Sequence, residues 1–351
     1  MKSALIMAGG TGGHIFPGLA VAQALRDAGW AVTWLGASGG MECQIVPRHA
    51  FSMDVIDFSG VRGKGVLAVA LLPMRLLKAF WQSIRVIRRV NPDVVLGFGG
   101  YVTFPAGMMA VLLGKPLVLH EQNSVAGLAN KVLAQVADKV FSTFPNALKG
   151  AECVGNPLRE AFLQQEPPDQ RFSKRVGKMR LLVMGGSLGA KALNEAIPKA
   201  LASMPEEARP IVTHQGGEKQ IEHLRECYAQ AGVRAELTAF IQDTASAFAQ
   251  ADLVICRAGA STVSEIAAVG APAVFVPFPH AVDDHQTHNA RFLSDRGAAT
   301  LVSQSDLTAE RIAQLLSKDE QPAHYSRGVE AYSLRKTDAS AVIVRACEAM
   351  R

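Results

Sequence analysis

The sequence predicts an α/β protein made of two doubly wound, Rossmann-like domains. Three observations carry this expectation. The 351 residues are about twice the usual length of one domain. Two short apolar segments, one at the N-terminus and one near residue 180, each run straight into a glycine-rich stretch and then a helical pattern. Hydrophobic residues make up 49% and charged residues 19%, which suits a folded globular chain.

Lys2–Ala8 reads as a buried strand, followed by Gly9-Gly-Thr-Gly-Gly-His14 and a helix pattern from Pro17 to Ala28. Ala31–Leu35 is the next strand. Asp93–Leu96 is a third, ending in Gly97-Phe-Gly-Gly100, and Pro116–His120 a fourth, followed by Glu121-Gln-Asn123. The same grammar then begins again. Met179–Met184 is a buried strand, Gly185-Gly-Ser-Leu-Gly-Ala190 its glycine loop, and a helix runs on through Leu201. Further strands are expected at Pro210–Thr213, Leu253–Cys256 and Ala273–Val276. Two such series imply two similar domains. Glu166-Pro-Pro-Asp-Gln marks a polar loop or linker, and the hinge is placed slightly earlier, near Gly155–Arg159. The expected domains are therefore residues 1–157 and 158–336. The last helix, Thr337–Arg351, has no strand after it and is expected to pack back on the first domain.

A glycine loop between strand and helix lets backbone N–H groups approach phosphate oxygens, with the helix dipole adding favourable potential. A tight turn alone would explain one such loop; three in one chain favour phosphate binding. A dinucleotide is disfavoured. Gly10-Thr-Gly12-Gly-His-Ile15 lacks the third glycine of that fingerprint, and Leu35-Gly-Ala-Ser38 lacks the acid that would hold the adenine ribose. No cofactor is expected.

Near residue 260 the strand Ala251–Arg257 leads into Ala258-Gly-Ala-Ser-Thr-Val-Ser-Glu265. Ser261, Thr262 and Ser264 are candidate N-cap hydroxyls, which would make an anion site. Glu265 either accepts the two hydroxyls of a ribose or serves as a capping-box glutamate; spacing alone leaves both open. Pro277–Asn289 holds His280, Asp283, Asp284, His285 and His288. Their spacing fits no common zinc signature, and a loop of neutral side chains suited to sugar hydroxyls is the better expectation, with no metal.

The net charge of +5 and pI near 9.0 permit contact with phosphates or an anionic membrane. Nothing in the pattern calls for nucleic acid. Five dispersed cysteines, with no C-x-x-C pair, fit a reducing compartment. Neither a signal peptide nor a run of about 20 apolar residues is visible, so a chain that is soluble or bound to a membrane surface is expected. Within Val66–Val90, Arg75, Lys78, Arg85, Arg88 and Arg89 fall within an arc of about 140°, with Leu76, Leu77, Phe80, Ile84 and Ile87 largely opposite. Most of this stretch reads as a domain helix. Leu71, Leu72, Phe80 and Trp81 exceed what one core face needs, and beside cations they suit an anionic leaflet.

Taken in order, Gly9–Pro17, Gly97–Tyr101, His120–Asn123, Gly155–Arg159, Gly185–Ala190 and Arg257–Glu265 closely resemble the MurG family, the bacterial transferases that convert lipid I to lipid II. Each motif alone is loose, and together they are specific. The resemblance runs from the N-terminus to about Asn289. It implies a GT-B fold, with the two domains facing across a cleft. The N-terminal domain would meet acceptor and membrane, and the C-terminal domain would hold UDP-N-acetylglucosamine. It further implies that Thr11, Gly12 and Gly13 line the donor side of the first loop. Asn123 would contact the transferred sugar, and Arg159 and Ser187 the diphosphate. Ile241 would meet uracil through its backbone. Ala260, Ser261, Thr262, Val263, Ser264 and Glu265 would hold phosphate and ribose, and Gln286 the sugar hydroxyls. Some family members carry two adjacent glutamines where this chain has His285-Gln286, so His285 is left unassigned.

The family's donor is an α-glycoside and its product β-linked, which implies one inverting displacement onto the 4-hydroxyl of the acceptor's N-acetylmuramyl sugar. His14 is the base candidate, because imidazole has a suitable pKa range; a loop-orienting or phosphate-binding role is the alternative. Tyr101 and His120 are acceptor-contact candidates. The implied location is the cytoplasmic face of the bacterial cell membrane, as a peripheral protein bound to its anionic surface. Rival readings are a GT-B transferase with another lipid acceptor, a sugar-nucleotide sensor with no use for His14, and the disfavoured nicotinamide oxidoreductase.

Overall fold

The computed structural model describes residues 1–60, 70–186 and 189–350. The chain divides into two compact units, Met1–Arg159 with Lys336–Arg351, and Glu160–Arg335.

Among the described residues of the first unit seven parallel strands form one sheet: β1 (Ser3–Ala8), β2 (Ala31–Ala37), β3 (Ser52–Ile56), β4 (Val94–Gly99), β5 (Leu117–Glu121), β6 (Lys139–Ser142) and β7 (Glu152–Cys153), in the order β3-β2-β1-β4-β5-β6-β7. A parallel sheet is covered on both faces, which is why β1, β4 and β5 are near-continuous apolar runs. Alternate residues of β1 face opposite ways. Ala4, Ile6 and Ala8 pack with Ile15, Leu19 and Leu25 of the helix Gly12–Asp27 and with Ile343, Val344 and Cys347 of the helix Ala339–Ala349. Leu5 and Met7 pack with Ala79, Val86 and Ile87 of the helix Leu72–Val90 and with Ala106 and Ala110 of the helix Thr103–Leu112. Strand order reverses beside β1, whose neighbours are β2 and β4. At such a switch point the connections leave in opposite directions and open a crevice at the carboxyl ends of the strands.

The second unit repeats this plan, with six parallel strands among its described residues: β8 (Arg180–Met184), β9 (Ile211–Gln215), β10 (Glu236–Thr238), β11 (Leu253–Cys256), β12 (Ala273–Phe275) and β13 (Thr300–Leu301), in the order β10-β9-β8-β11-β12-β13. Leu181, Val183 and Ile255 meet Leu193 and Ile197 of the helix Lys191–Ala202 in its core. Its switch point lies between β8 and β11. Both units are doubly wound, as the two glycine-loop series predict.

The structure differs from the sequence expectation at the start of the first helix and on one face of a later one. The first helix starts at Gly12 rather than Pro17, with Pro17 inside it. Proline is common at a first helical position, but here Pro17 lies in the second turn. Packing overrides that preference: Ile15 is fully buried, and Gly18 lies so close to Trp34 that a Cβ there would stand 2.7 Å from the indole. In the helix Leu72–Val90, Leu77 is not on the core side. Met74, Leu77 and Trp81 form an exposed apolar stripe, 70%, 68% and 56% accessible, while Phe80 is half-buried against Phe104. Lys78 and Arg89 are paired with Asp57 and Asp54. The part of the basic apolar stretch at 66–69 lies outside the described residues.

Candidate active site

At the switch point of the first unit the ends of β1 and β4 come into contact through glycines. Gly9 N–H donates to Gly99 O at 3.3 Å. Gly99 and Gly100 have φ of 106° and 93°, a region in which glycine has no steric penalty. A Cβ on Gly100 would stand 2.3 Å from Gly9 O, and one on Gly99 would stand 2.8 Å from His14 Nδ1. The Gly97-Phe-Gly-Gly100 motif therefore lets the two strand ends meet and leaves room for the His14 ring. Below them lies Glu42, fully buried, whose carboxylate accepts from Gly10 N–H at 3.1 Å and Ala37 N–H at 2.8 Å. Glu42 fixes the first glycine loop, and no local pattern marks that role, because Gly10 is 32 residues away.

Thr11 is the N-cap of the helix Gly12–Asp27, with extended backbone and no side-chain capping bond. Its carbonyl accepts from His14 and Ile15 N–H groups. The amides of Gly12 and Gly13 thus sit at the positive end of a 16-residue helix with no hydroxyl cap, which fits an anionic group. His14 lies in this first turn, half-buried, with Nδ1 2.8 Å from Gln122 Oε1. Arg159 places its guanidinium 5.1 Å from the Phe16 ring of the same helix. Tyr101, half exposed, lies against Gly60.

His120 does not face outward as an acceptor contact. It is 1% exposed, its Nε2 is 2.9 Å from Gly155 O, and its Nδ1 is 3.0 Å from Gln122 Nε2. Burial holds its pKa down at about 4, the Gly155 bond opposing this only in part. With both ring nitrogens engaged inside the unit, it has nothing left to offer a ligand. Next to it Glu121 is also buried, and its carboxylate accepts from Asn123 N–H at 2.9 Å, Gly127 N–H at 3.2 Å and Asn130 Nδ2 at 2.8 Å. That carboxylate shapes the segment that presents Asn123.

At the switch point of the second unit, Gly186 and Gly189 have φ of 80° and 77°, and a Cβ on Gly189 would lie 2.2 Å from Gly216 O. Ser187 lies outside the described residues. Gln215, buried at the end of β9, donates from Nε2 to Gly186 O at 3.1 Å and accepts at Oε1 from Ile241 N–H at 3.2 Å. It ties the glycine loop to the Phe240-Ile241 segment, so the carbonyl is the backbone group Ile241 retains for a base. Like Glu42, Gln215 carries no sequence signal.

The helix Ala260–Val269 is capped by Gly259 rather than by a hydroxyl. Ser264 Oγ donates to Ala260 O at 3.0 Å, and Ser261 Oγ is buried with no hydrogen-bond partner among the described residues. The expected hydroxyl caps are therefore absent. The first-turn amides receive no side-chain cap, and a buried hydroxyl stands beside them, as at a site completed by a ligand. Glu265 is the sixth residue of this helix, whereas a capping box needs its acid at the third, which is Thr262. That position removes the capping-box alternative. Glu265 lies near the end of β11: burial first, and then its charge, raise the Cys256 thiol.

Pro277–Asn289 is not one loop. A short turn at Val282–Asp284, with Asp283 and Asp284 in the left-handed region, leads into a helix from His285 to Ser294. Gln286 stands in its first turn and accepts from Phe278 N–H at 2.9 Å. Arg257 supports the same segment, donating to Val276 O at 3.0 Å and Pro277 O at 2.9 Å, and Asn289 Nδ2 donates to Ala258 O at 3.2 Å. Among the described residues no three His, Cys, Asp or Glu side chains gather as metal ligands.

Each unit thus presents an uncapped helix N-terminus and glycine loops at a switch point, and both are matched among known proteins. Residues 4–142 match the Glycosyltransferase family 28 N-terminal domain and residues 180–343 the Glycosyltransferase family 28 C-terminal domain. A Paracidovorax citrulli protein named UDP-N-acetylglucosamine--N-acetylmuramyl-(pentapeptide) pyrophosphoryl-undecaprenol N-acetylglucosamine transferase is 65% identical over 99% of this chain and 98% of its own. A Cupriavidus necator protein of the same name is 59% identical, over 99% and 97%. The crystal structure of Acinetobacter baumannii MurG superposes with a TM-score of 0.85 at 40% identity, covering 100% of both chains. The calicheamicin glycosyltransferase CalG4, 15% identical with a TM-score of 0.68 over 100% of this chain and 98% of that one, shares the fold alone. With both domains matched and close relatives covered end to end, this GT-B protein belongs to glycosyltransferase family 28.

Proposed function

We propose that this enzyme transfers N-acetylglucosamine from UDP-N-acetylglucosamine to the 4-hydroxyl of the N-acetylmuramyl sugar in the pentapeptide pyrophosphoryl-undecaprenol acceptor, converting lipid I to lipid II in peptidoglycan synthesis. The observation that carries this reading is the 65% identity, over 99% of the chain, to a relative named for that reaction.

The donor belongs with the second unit. The uncapped amides and the Ser261 hydroxyl at the start of the helix Ala260–Val269 suit the diphosphate, Glu265 the ribose hydroxyls, the Ile241 carbonyl the uracil, and Gln286 the sugar. The first unit supplies the base and the acceptor side. His14 Nε2 takes the proton of the attacking 4-hydroxyl as its oxygen bonds the anomeric carbon and the bond to UDP breaks, which inverts α to β. Charge arriving on the diphosphate is met by helix N-termini and by Arg159. Asn123 holds the transferred sugar, and Tyr101, half exposed, meets the acceptor.

The acceptor is lipid-linked, and among the described residues no helix is long and apolar enough to cross a membrane. The exposed stripe Met74, Leu77 and Trp81, with Arg85 stacked 4.5 Å over Trp81, is the surface that rests on the anionic cytoplasmic leaflet.

The test is a transfer assay with UDP-N-acetylglucosamine and a lipid I analogue. A β-linked disaccharide product is expected from the native chain. His14→Ala is expected to lower kcat by about 100-fold or more. A folded native chain that makes no product would overturn the reaction, and a fully active His14→Ala would overturn the base.

A further inference from the structure

We propose that Gln122 is a positioning residue that sets the tautomer of His14, keeping the hydrogen on Nδ1 and an open lone pair on Nε2. This rests on the reading of His14 as the base.

The assignment follows from a chain of hydrogen bonds that starts at an atom with only one role. Gly155 O can only accept, so His120 Nε2, 2.9 Å away, carries a hydrogen. His120 is fully enclosed and, with its pKa held down at about 4 by burial, neutral at pH 7, so its Nδ1 is an acceptor. Gln122 Nε2 lies 3.0 Å from that nitrogen and 3.0 Å from His120 O, two acceptors side by side. Turning the amide over would press its oxygen against both, inside a site from which water is excluded, since Gln122 is itself 0% exposed. The amide therefore has one orientation, with Oε1 toward His14 Nδ1 at 2.8 Å. An amide oxygen accepts only, so His14 Nδ1 donates, and in the neutral ring Nε2 is bare.

The ring has little freedom to escape this arrangement. It lies over Gly99, where even a Cβ would come within 2.8 Å of Nδ1, and its backbone is fixed in the first turn of the helix Gly12–Asp27. When Nε2 takes a proton, the Nδ1–H bond to Gln122 remains, so accepting the proton requires no rearrangement. In serine hydrolases an aspartate fixes the tautomer of the catalytic histidine. Here a buried amide does it, anchored through a second, non-reacting histidine.

Two measurements on the full chain test this. Long-range nitrogen–proton correlation of the imidazoles, with His14 assigned by its disappearance in His14→Ala, is expected to show the Nδ1–H tautomer at neutral pH in the native chain. Gln122→Met, similar in length but only a weak acceptor and no donor, is expected to show mixed tautomers or Nε2–H. The same variant is expected to lose kcat by about 10- to 100-fold, a part of what a general base contributes, with KM for UDP-N-acetylglucosamine within about twofold. A native Nε2–H tautomer overturns the proposal without any variant, as does a folded Gln122→Met that keeps the native tautomer. Full activity in His14→Ala would instead overturn the base reading and leave the tautomer result standing.

Discussion

At the scale of single residues, each unit contains a buried histidine on a strand near its glycine loops. His120 lies at the end of β5 and His214 on β9. His214 is bonded through Nδ1 to Tyr228 OH at 3.0 Å and through Nε2 to Asn194 Oδ1 at 3.1 Å. Asn194 Nδ2 in turn donates to Gly216 O at 3.3 Å, next to the second glycine loop. Burial lowers both histidines, His120 to about 4 and His214 to about 3, against 6.5 for an exposed ring. The folded state thus binds fewer protons than the unfolded chain below pH 6.5. Stability is fully present above that pH and falls as the pH drops toward about 4 and about 3, by at most about 1.4 kcal/mol per pH unit for each ring. Ring resonances of His120 and His214 are expected to stay in their neutral positions from pH 8 down to pH 5. A midpoint near 6.5 for either would refute the buried neutral assignment. Glu42, Glu121, Gln122 and Gln215 belong to the same class of buried polar groups. Glu121 shapes its own segment through Asn123, Gly127 and Asn130, whereas Glu42, Gln122 and Gln215 each also reach a partner remote along the chain, Gly10, His14 and Gly186, and those links could not be read locally.

At the scale of elements, the helix Leu72–Val90 has two kinds of apolar residue that its sequence does not separate. Ala79, Ser83, Val86 and Ile87 face the sheet, whereas Met74, Leu77 and Trp81 face out. Leu77 was expected on the core side because hydropathy gives a stripe but not its width. Only the position of the neighbouring helix Thr103–Leu112 decides where the core face ends. The pairing of Lys78 with Asp57 and of Arg89 with Asp54 likewise reduces the net basic character of this surface. Apolar contact should therefore dominate the proposed membrane docking. Leu77→Glu and Trp81→Glu are each expected to weaken binding to phosphatidylglycerol vesicles by about tenfold or more, the transfer energy of one large side chain. Transfer to a water-soluble acceptor analogue should be preserved. Sedimentation with vesicles measures the first, and unchanged binding in both variants would rule out this stripe as the docking surface.

At the scale of the whole molecule, the first unit is closed by the last helix of the chain. Ile343 and Cys347 are buried in the same cluster as Ala4, Ile6 and Trp34. Ile343→Ala is expected to cost about 2–5 kcal/mol, felt in the first unit. Amide exchange should quicken in β1 and the helix Gly12–Asp27 and stay slow in β8 and β11; equal quickening in both units would contradict this division. Much of the architecture was legible beforehand because its causes are local. Buried parallel strands must be apolar runs, and left-handed turns such as those at Gly99, Gly186 and Gly189 call for glycine, so both leave marks in neighbouring residues. The motifs carrying the family resemblance are such marks. Helix starts were less legible: Thr11 caps the first helix without a side-chain bond, and the helix Ala260–Val269 is capped by Gly259 rather than by one of the nearby hydroxyls. What only the tertiary structure decided is which polar atoms meet. His14 and Gln122 are 108 residues apart, and nothing in either segment names the other. A side-chain hydrogen bond is fixed by where the fold brings two elements together, which is a property of the packed sheet and not of any stretch of sequence.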